Sequence, residues 1–567
     1  MAYTGHTPIE HFDVVIVGAG VAGALLAWRL GGAGLTVGLI EAGAGKVDRA
    51  AAVAAYGASG SKSLGSPYIA GSAVGPEHPG PMNAYYDQAG PEDFLSTYER
   101  IGGGSTWHWL GHTPRLLPND FRMRSNYGVG VDWPIGYEHI EPWYCAAEAA
   151  LGVAGDDAQW ANVHGAFRSK PFPMPPIWPT WSDTYVARVV DGVEIDGQTI
   201  RVLTTPAARN SRPYDGRPPC AGNASCIPIC PIGAKYDGSV HVKKAMDTGN
   251  VRLIADSIAT RLVLGPNGSI TAVEHMRGGQ PQRASGKVVI LCAHAIESAK
   301  LLLMSAATGA PDGVANSSGQ VGRNLMDHMQ KSVFVRTMDP VYPFRGPPST
   351  SGIESFRDGP FRTERAAVRF SLNNDGFSRA SRPSPVSDLN DAVQEGLFGQ
   401  ALRRRLFAAI SCQLRFSLST ELLPDPDNRV TLSELKDSDG QPRPRISFNV
   451  GDYTRNAFGP ALSVIERLAA ALGGEIVEED TAITSGGHHY NGAGHIMGTC
   501  RMGSDGRHAV TDANCRTFDH NNLYIVGASL WPTSGTANPT LTIAALSLRA
   551  ADHIAKTEFG RPLGVLT

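Results

Sequence analysis

A chain of 567 residues exceeds what one hydrophobic core organises, so two or more lobes are expected. With 42% apolar and 18% charged residues, 65 glycines and a formal charge of -3, it reads as a globular α/β protein; no basic block of the kind that tracks nucleic-acid phosphates is present. Eight cysteines are too few for a disulfide scaffold, and no apolar run reaches the ~18 residues of a membrane span.

The opening "MAYTGHTPIEHF" has neither the basic nor the apolar region of a secretion signal, so the chain on its own is expected to stay in the cytoplasm. The stretch "HFDVVIVGAGVAGALLAWRLGGAGLTVGLIEAG" follows, with a β-branched run at 13–17 short enough for a buried strand. Gly18, Gly20 and Gly23 come next, then the Ala/Leu-rich "VAGALLAWRL", then a second apolar run ending in Glu41. This strand–GxGxxG–helix–strand–acid order is a dinucleotide-binding unit. Gly18 permits the tight turn, Gly20 lets the backbone approach a pyrophosphate, and Gly23 lets the helix pack close to the strand. The helix N-terminus then faces the phosphates and Glu41 is placed to accept from ribose hydroxyls. NAD and FAD share the unit, which does not choose between them.

A second glycine cluster, "ERIGGGSTWHWLGHTPRLLPNDF" at 99–121, includes Gly103, Gly104 and Ser105, and its backbone suits a phosphate or a ribityl chain. Trp107, His108 and Trp109 suit either the flank of a ring system or a core. At 218–237, "PPCAGNASCIPICPIGAKYD" holds Cys220, Cys226 and Cys230 in a Pro/Gly-rich segment. The spacing is not that of a zinc ribbon, and a disulfide would leave one thiol over. Three thiolates for a 3Fe-4S cluster and three unligated thiols both remain open on spacing alone.

Further on, "GHHYNGAGHIMGTCRMG" carries His488, His489 and His495. They lack helical H-x-x-x-H spacing and sit among glycines, so the segment reads as a loop, with a metal site or a general base as the two chemistries. Alcohol oxidation by hydride transfer requires removal of the hydroxyl proton, which an imidazole does well. Near the C-terminus a buried strand at 523–526 runs into Gly527-Ala528-Ser529 and then into a long Ala/Leu helix beginning near Asn538. Two widely separated phosphate-type turns suit a large cofactor held from both ends.

The N-terminal unit, "GGGSTWHW", "VVILCAHAIESAKLLLMS", "VGRNLMDH", "HIMGTCRMG" and "GASLWPTSGTANPTLTIAALSLRAADHI" occur in the order seen in the glucose–methanol–choline (GMC) oxidoreductases, which the chain closely resembles. The resemblance implies an α/β fold: a Rossmann-like FAD-binding domain with a substrate lobe built on an antiparallel sheet. It implies FAD-domain segments at 1–130, 211–330 and 481–567, with substrate-lobe segments at 131–210 and 331–480. It singles out His495, in H-x-x-G-T, as the catalytic base and Asn538 as its partner on the substrate oxygen. Asn538 also has the look of a helix N-cap, with Pro539 at the first helical position. Two departures stand out: Gly527 where many members have Asp, and His294 within a usual Ala-Gly-Ala.

The string "ARNSRPYDGRPPCAGNASCIPICPIGAKYDG" resembles the cluster loop of bacterial FAD-dependent glucose, fructose and sorbitol dehydrogenases, a subgroup of the same family. By that resemblance Cys220, Cys226 and Cys230 bind a 3Fe-4S cluster that carries electrons from the flavin, although Ala221 replaces a further Cys found in many members. It further implies a sugar substrate, a small chaperone-like subunit with a twin-arginine export signal, a cytochrome c acceptor, and a periplasmic location by co-export. Without such a partner the enzyme would be cytoplasmic. An oxidase producing hydrogen peroxide and a non-catalytic flavin-binding subunit are the alternatives. Glucose at C1, a glucoside at C3, fructose at C5 and sorbitol all fit the chemistry.

Overall fold

The computed structural model describes residues 9–58, 85–96, 98–107, 109–227, 229–375, 385–479 and 492–566. Five strands form a parallel sheet in the order Leu523–Ile525, Gln280–Leu291, Ile9–Val17, Val37–Ile40 and Val251–Ile254. Val14 pairs with Val288 on one side and Val37 on the other, so these apolar runs are buried on both faces, as a parallel sheet requires. The first half of Gln280–Leu291 instead pairs antiparallel with Ile270–Arg277, which pairs in turn with Ser257–Leu264. The helix Val21–Gly32 packs against Ser239–Asp247 and the C-terminal Thr540–Phe559.

A second sheet of six strands is antiparallel throughout, in the order Glu475–Glu479, Met329–Arg336, Gln413–Thr420, Val368–Asn373, Ser351–Ile353 and Val202–Thr204. Side chains alternate across it. Leu414, Phe416 and Leu418 enter a core with Val464, Ile465 and Leu468 of the helix Phe458–Ala471 and with Val186 and Val190 of Trp181–Val190. Arg415, Ser417 and Ser419 therefore point the other way.

Residues 131–210 divide between the two cores. Trp133, Ile140, Tyr144 and Leu151 join the parallel-sheet core, whereas Val186, Val190, Ile195 and Val202 join the other. The stretch 331–480 is divided too: the hairpin Arg429–Lys436 and Pro442–Ser447 contacts the helix Ala295–Met304 and places Val430 and Ile446 in the first core. The chain thus passes between lobes repeatedly, and the space left where they meet is the cavity described next.

Candidate active site

Gly18, Gly20, Glu41, Gly103, Gly104, Ser105, Gly527 and Ala528 line one cavity of about 560 Å³, and His495 and Asn538 line it as well. Gly18 has φ +99°, and a Cβ there would lie 2.6 Å from the carbonyl oxygen of Cys292 on the neighbouring strand. Gly23 does not reach the cavity; a Cβ there would lie 1.9 Å from the carbonyl oxygen of Gly18, so its role is the close seating of helix on strand. At Gly20 a Cβ would meet no protein atom within 4 Å, because the room beside it belongs to the cavity. Gly20 caps the helix Val21–Gly32 without any side-chain bond, which leaves first-turn N–H groups and the positive helix end for an anion. This cradle fits the pyrophosphate of FAD.

Glu41 lines the cavity while its carboxylate accepts from the backbone N–H of Ala19 at 2.8 Å and of Gly43 at 2.9 Å. Burial pushes its pKa up, and those N–H bonds pull against the shift. The Ser105 hydroxyl accepts from the Glu99 N–H at 3.1 Å. Trp109 faces the cavity and donates to the Tyr236 carbonyl at 2.7 Å. Trp107 packs in a small core with Ile101 and Ile229, with the Arg49 guanidinium 4.4 Å from its ring. His108, His488 and His489 lie outside the described residues. His294, at φ +65°, accepts from the Ile296 N–H at the start of the helix Ala295–Met304 and stacks on Tyr98 at 4.4 Å, both rings bordering the cavity.

His495 and Asn538 are brought together across 43 residues of sequence: the Asn538 amide nitrogen is 3.0 Å from His495 Nε2. The expected capping role of Asn538 is not made. The helix starts at Thr540 with Pro539 as its cap and no side-chain cap bond, so the Asn538 amide is free to face the imidazole. Sequence reasoning passed over the next layer. His328, from "VGRNLMDH", places Nδ1 2.8 Å from His495 Nδ1 and Nε2 2.9 Å from the Gly535 carbonyl oxygen. One oxygen of Asp327 accepts from the backbone N–H of His328 at 2.6 Å and of His495 at 2.9 Å, and the Ser96 hydroxyl donates to its other oxygen. Burial holds His495 well below the usual imidazole range, and nearby His328, His112 and Arg369 push the same way; burial takes His328 to about 4. Both rings are neutral at neutral pH, which leaves His495 able to accept a proton.

Opposite this pair stands the polar face of the antiparallel sheet. Its register places Arg369 beside Ser419, Ser371 beside Ser417 and Asn373 beside Arg415, and all six line the cavity. Each guanidinium has a carboxylate partner: Arg369 Nε donates at 2.8 Å to Glu354, which also accepts from Arg357 at 3.0 Å, and Arg415 donates to both oxygens of Asp375 at 2.9 and 2.6 Å. The alternation of polar residues in "AVRFSLNN" and "QLRFSLST" was the available signal, but only strand pairing turns it into a surface.

Residues 201–330 and 424–547 match the two GMC oxidoreductase family models. The chain is 36% identical to the fructose dehydrogenase large subunit of Gluconobacter japonicus over 552 residues, covering 96% of this chain and 97% of that protein. It is 30% identical to the 6'''-hydroxyparomomycin C oxidase of Streptomyces lividus, covering 96% and 91%. The chain belongs to the GMC oxidoreductase family. Among solved structures, pyridoxine 4-oxidase from Mesorbium loti superposes with a TM-score of 0.62 at 21% identity, covering 95% and 98%; a formate oxidase does so at 0.65 and 16%, covering 98% and 99%. Both share the fold. As a GMC enzyme the chain is an FAD-dependent oxidoreductase acting on CH–OH groups.

In this GMC oxidoreductase none of the three cysteines is in a disulfide; Cys226 and Cys230 are buried and Cys220 half-buried. Burial pushes the Cys220 thiol up in pKa, and the Gly222 N–H and the Arg209 guanidinium pull against that shift. Arg209 donates to Cys226 Sγ at 3.7 Å and the Gly222 N–H to Cys220 Sγ at 3.4 Å. The buried Lys235 ammonium donates to the carbonyls of Trp107, Trp109 and Cys226 at 2.8, 2.6 and 2.9 Å, and Ile227 borders the cofactor cavity. Sulfur donors beside two cations have the chemistry for an iron–sulfur group. Their placement does not close a ligand set: among the described residues no three His, Cys, Asp or Glu side chains form a metal-holding group.

Proposed function

We propose that the chain is the catalytic subunit of a sugar dehydrogenase, oxidising one C–OH of a neutral carbohydrate. The observation that carries this reading is the sheet face opposite His495. It offers hydroxyls, an amide and two guanidiniums, each tied to a carboxylate: Arg415 to Asp375, and Arg369 to a Glu354 that it shares with Arg357. A surface this rich in hydroxyl, amide and guanidinium hydrogen-bonding groups suits the many hydroxyls of a polyol or sugar. FAD, when bound, supplies the hydride acceptor; the residues to hold it are Gly18, Gly20, Gly103, Gly104, Ser105, Gly527 and Ala528, with Glu41 accepting from the ribose. His495 Nε2 takes the hydroxyl proton, and the Asn538 amide donates to the oxygen as negative charge grows on it. A screen of flavin bleaching and dye reduction against free sugars, glycosides, polyols and aldonates tests this. Bleaching by aldonates alone, with no response to any neutral sugar, would sink it.

For electron exit, the reading takes the three-cysteine loop as the holder of a 3Fe-4S cluster, with a cytochrome c acceptor beyond it. Its support is the thiol set, the adjacent Arg209 and Lys235, and the contact of Ile227 with the cofactor cavity. A small subunit with an export signal would carry the folded enzyme to the periplasm; without it the enzyme stays in the cytoplasm. No described helix is long and apolar enough to cross a membrane. Iron and acid-labile sulfide in protein purified without air are expected, together with their loss and a loss of cytochrome reduction in Cys226→Ser while sugar still bleaches the flavin. Iron-free protein that reduces its acceptor at full rate would refute it. The second reading, an oxidase, is favoured by the 30% identity to a 6'''-hydroxyparomomycin C oxidase and predicts sugar-dependent oxygen uptake without a mediator.

A further inference from the structure

His328 stands behind His495 and makes no contact with the cavity's contents that the proposed reaction requires. Its two ring nitrogens are nevertheless both committed. Nε2 lies 2.9 Å from the carbonyl oxygen of Gly535, which can only accept, so Nε2 carries a proton. The ring is buried and neutral, so Nδ1 carries none. Nδ1 is therefore an acceptor, and its partner 2.8 Å away, His495 Nδ1, must be the donor. A neutral His495 with a proton on Nδ1 has a lone pair on Nε2. The same conclusion comes from the opposite side. The Asn538 amide nitrogen, which can only donate, sits 3.0 Å from that Nε2.

We propose that His328 is a positioning residue that locks His495 in the Nδ1–H tautomer, so that the Nε2 lone pair faces the substrate's hydroxyl. This rests on His495 as the proton acceptor. The substrate oxygen would take the place between Nε2 and the Asn538 amide. Its O–H bond breaks, the proton goes to Nε2, and the C–H electron pair leaves as hydride to the enzyme's FAD. His495 then has N–H on both nitrogens, and the Nδ1–H bond to His328 is kept rather than made anew. In a Ser–His–Asp triad a carboxylate orients the base in this way; here a neutral imidazole does so, itself set by a peptide carbonyl. The shared oxygen of Asp327 on both backbones keeps the two rings in register.

The test separates acceptance at the Nδ1 position from mere filling of the site. In His328→Asn the amide oxygen can stand where Nδ1 stood and accept from His495. In His328→Gln the side-chain amide reaches instead toward Gly535 and leaves His495 Nδ1 without an acceptor. Flavin reduction by substrate is expected to fall about tenfold or more in Gln and to stay within about threefold of wild type in Asn, with FAD retained in both. Gln at wild-type rate, or Asn as slow as Gln, would overturn the lock. Should either variant fold poorly, the wild-type enzyme decides. In ¹⁵N-histidine NMR, with the His495 signals identified by their loss in His495→Ala, Nδ1 is expected protonated and Nε2 bare at neutral pH. The opposite tautomer would overturn the proposal whatever the activity. Failure of His495→Ala to slow flavin reduction would instead remove the catalytic reading and leave the tautomer result standing.

Discussion

The two walls of the cavity are built on opposite plans. The cofactor wall is made of short contiguous turns: Gly18 to Ala22, Gly103 to Ser105, and Gly527-Ala528, each closing a strand or loop and opening onto the same space. The substrate wall has no contiguous motif. It is a lattice of single side chains, every second residue on two strands, with Arg369, Ser371 and Asn373 meeting Ser419, Ser417 and Arg415. A backbone cradle tolerates no side chain at a given point, whereas a lattice tolerates the loss of one contact among several. Damage to the first wall should therefore be all-or-none, and damage to the second graded.

Gly20→Val should give the largest effect. A Cβ there meets no protein atom within 4 Å, so the fold should survive, but the side chain would occupy the space the pyrophosphate needs. The variant should purify without flavin colour; a yellow, active protein would show that this turn does not hold the cofactor. His495→Ala comes next, with FAD retained and flavin reduction down about a hundredfold or more, the range of a lost general base. An equal loss from His488→Ala or His489→Ala, with His495→Ala active, would move the base elsewhere.

The pH dependence sharpens the same point. Burial and the neighbouring His328, His112 and Arg369 depress the His495 pKa. Its active form is the neutral ring, so activity is present above that depressed pKa and lost as pH falls through it. The acid limb of kcat/KM should lie below the ordinary imidazole value of about 6.5. A limb at or above that value would mean that another group titrates.

Asn538→Ala should be milder than His495→Ala and should lower kcat more than it raises KM, because the amide helps most as charge develops on oxygen. Raised KM with unchanged kcat would deny it that role. Asn373→Ala should be the smallest of these changes: about threefold to tenfold in KM, the worth of one net hydrogen bond, with FAD binding and kcat close to wild type. Loss of flavin from this variant would break the distinction between the walls.

Local signals made the cofactor wall legible. The β-branched run before Gly18, the glycine spacing and the acid at Glu41 act within some thirty residues, where chain connectivity alone brings the groups together. The resemblance to GMC enzymes added His495 and Asn538, and the structure places them 3.0 Å apart. The cap expected at Asn538 falls to Pro539 instead, since the helix begins one residue later than the pattern suggested. Nothing local in "VGRNLMDH" marks His328, because its importance lies in a contact made across 167 residues.

By itself the sequence determined the nucleotide-binding unit, which is written in spacing along the backbone, while FAD and the pair His495 and Asn538 followed from the resemblance of its motifs to those of GMC enzymes. Tertiary structure decided which face of the antiparallel sheet meets that pair, since a shift of one residue in register would turn Arg369 and Arg415 into the apolar core and Phe370 and Phe416 toward the cavity in their place. It also decided the tautomer of His495. A proton's position on a ring depends on the acceptor behind it, and that acceptor comes from a distant strand entrance and a carbonyl near the C-terminus.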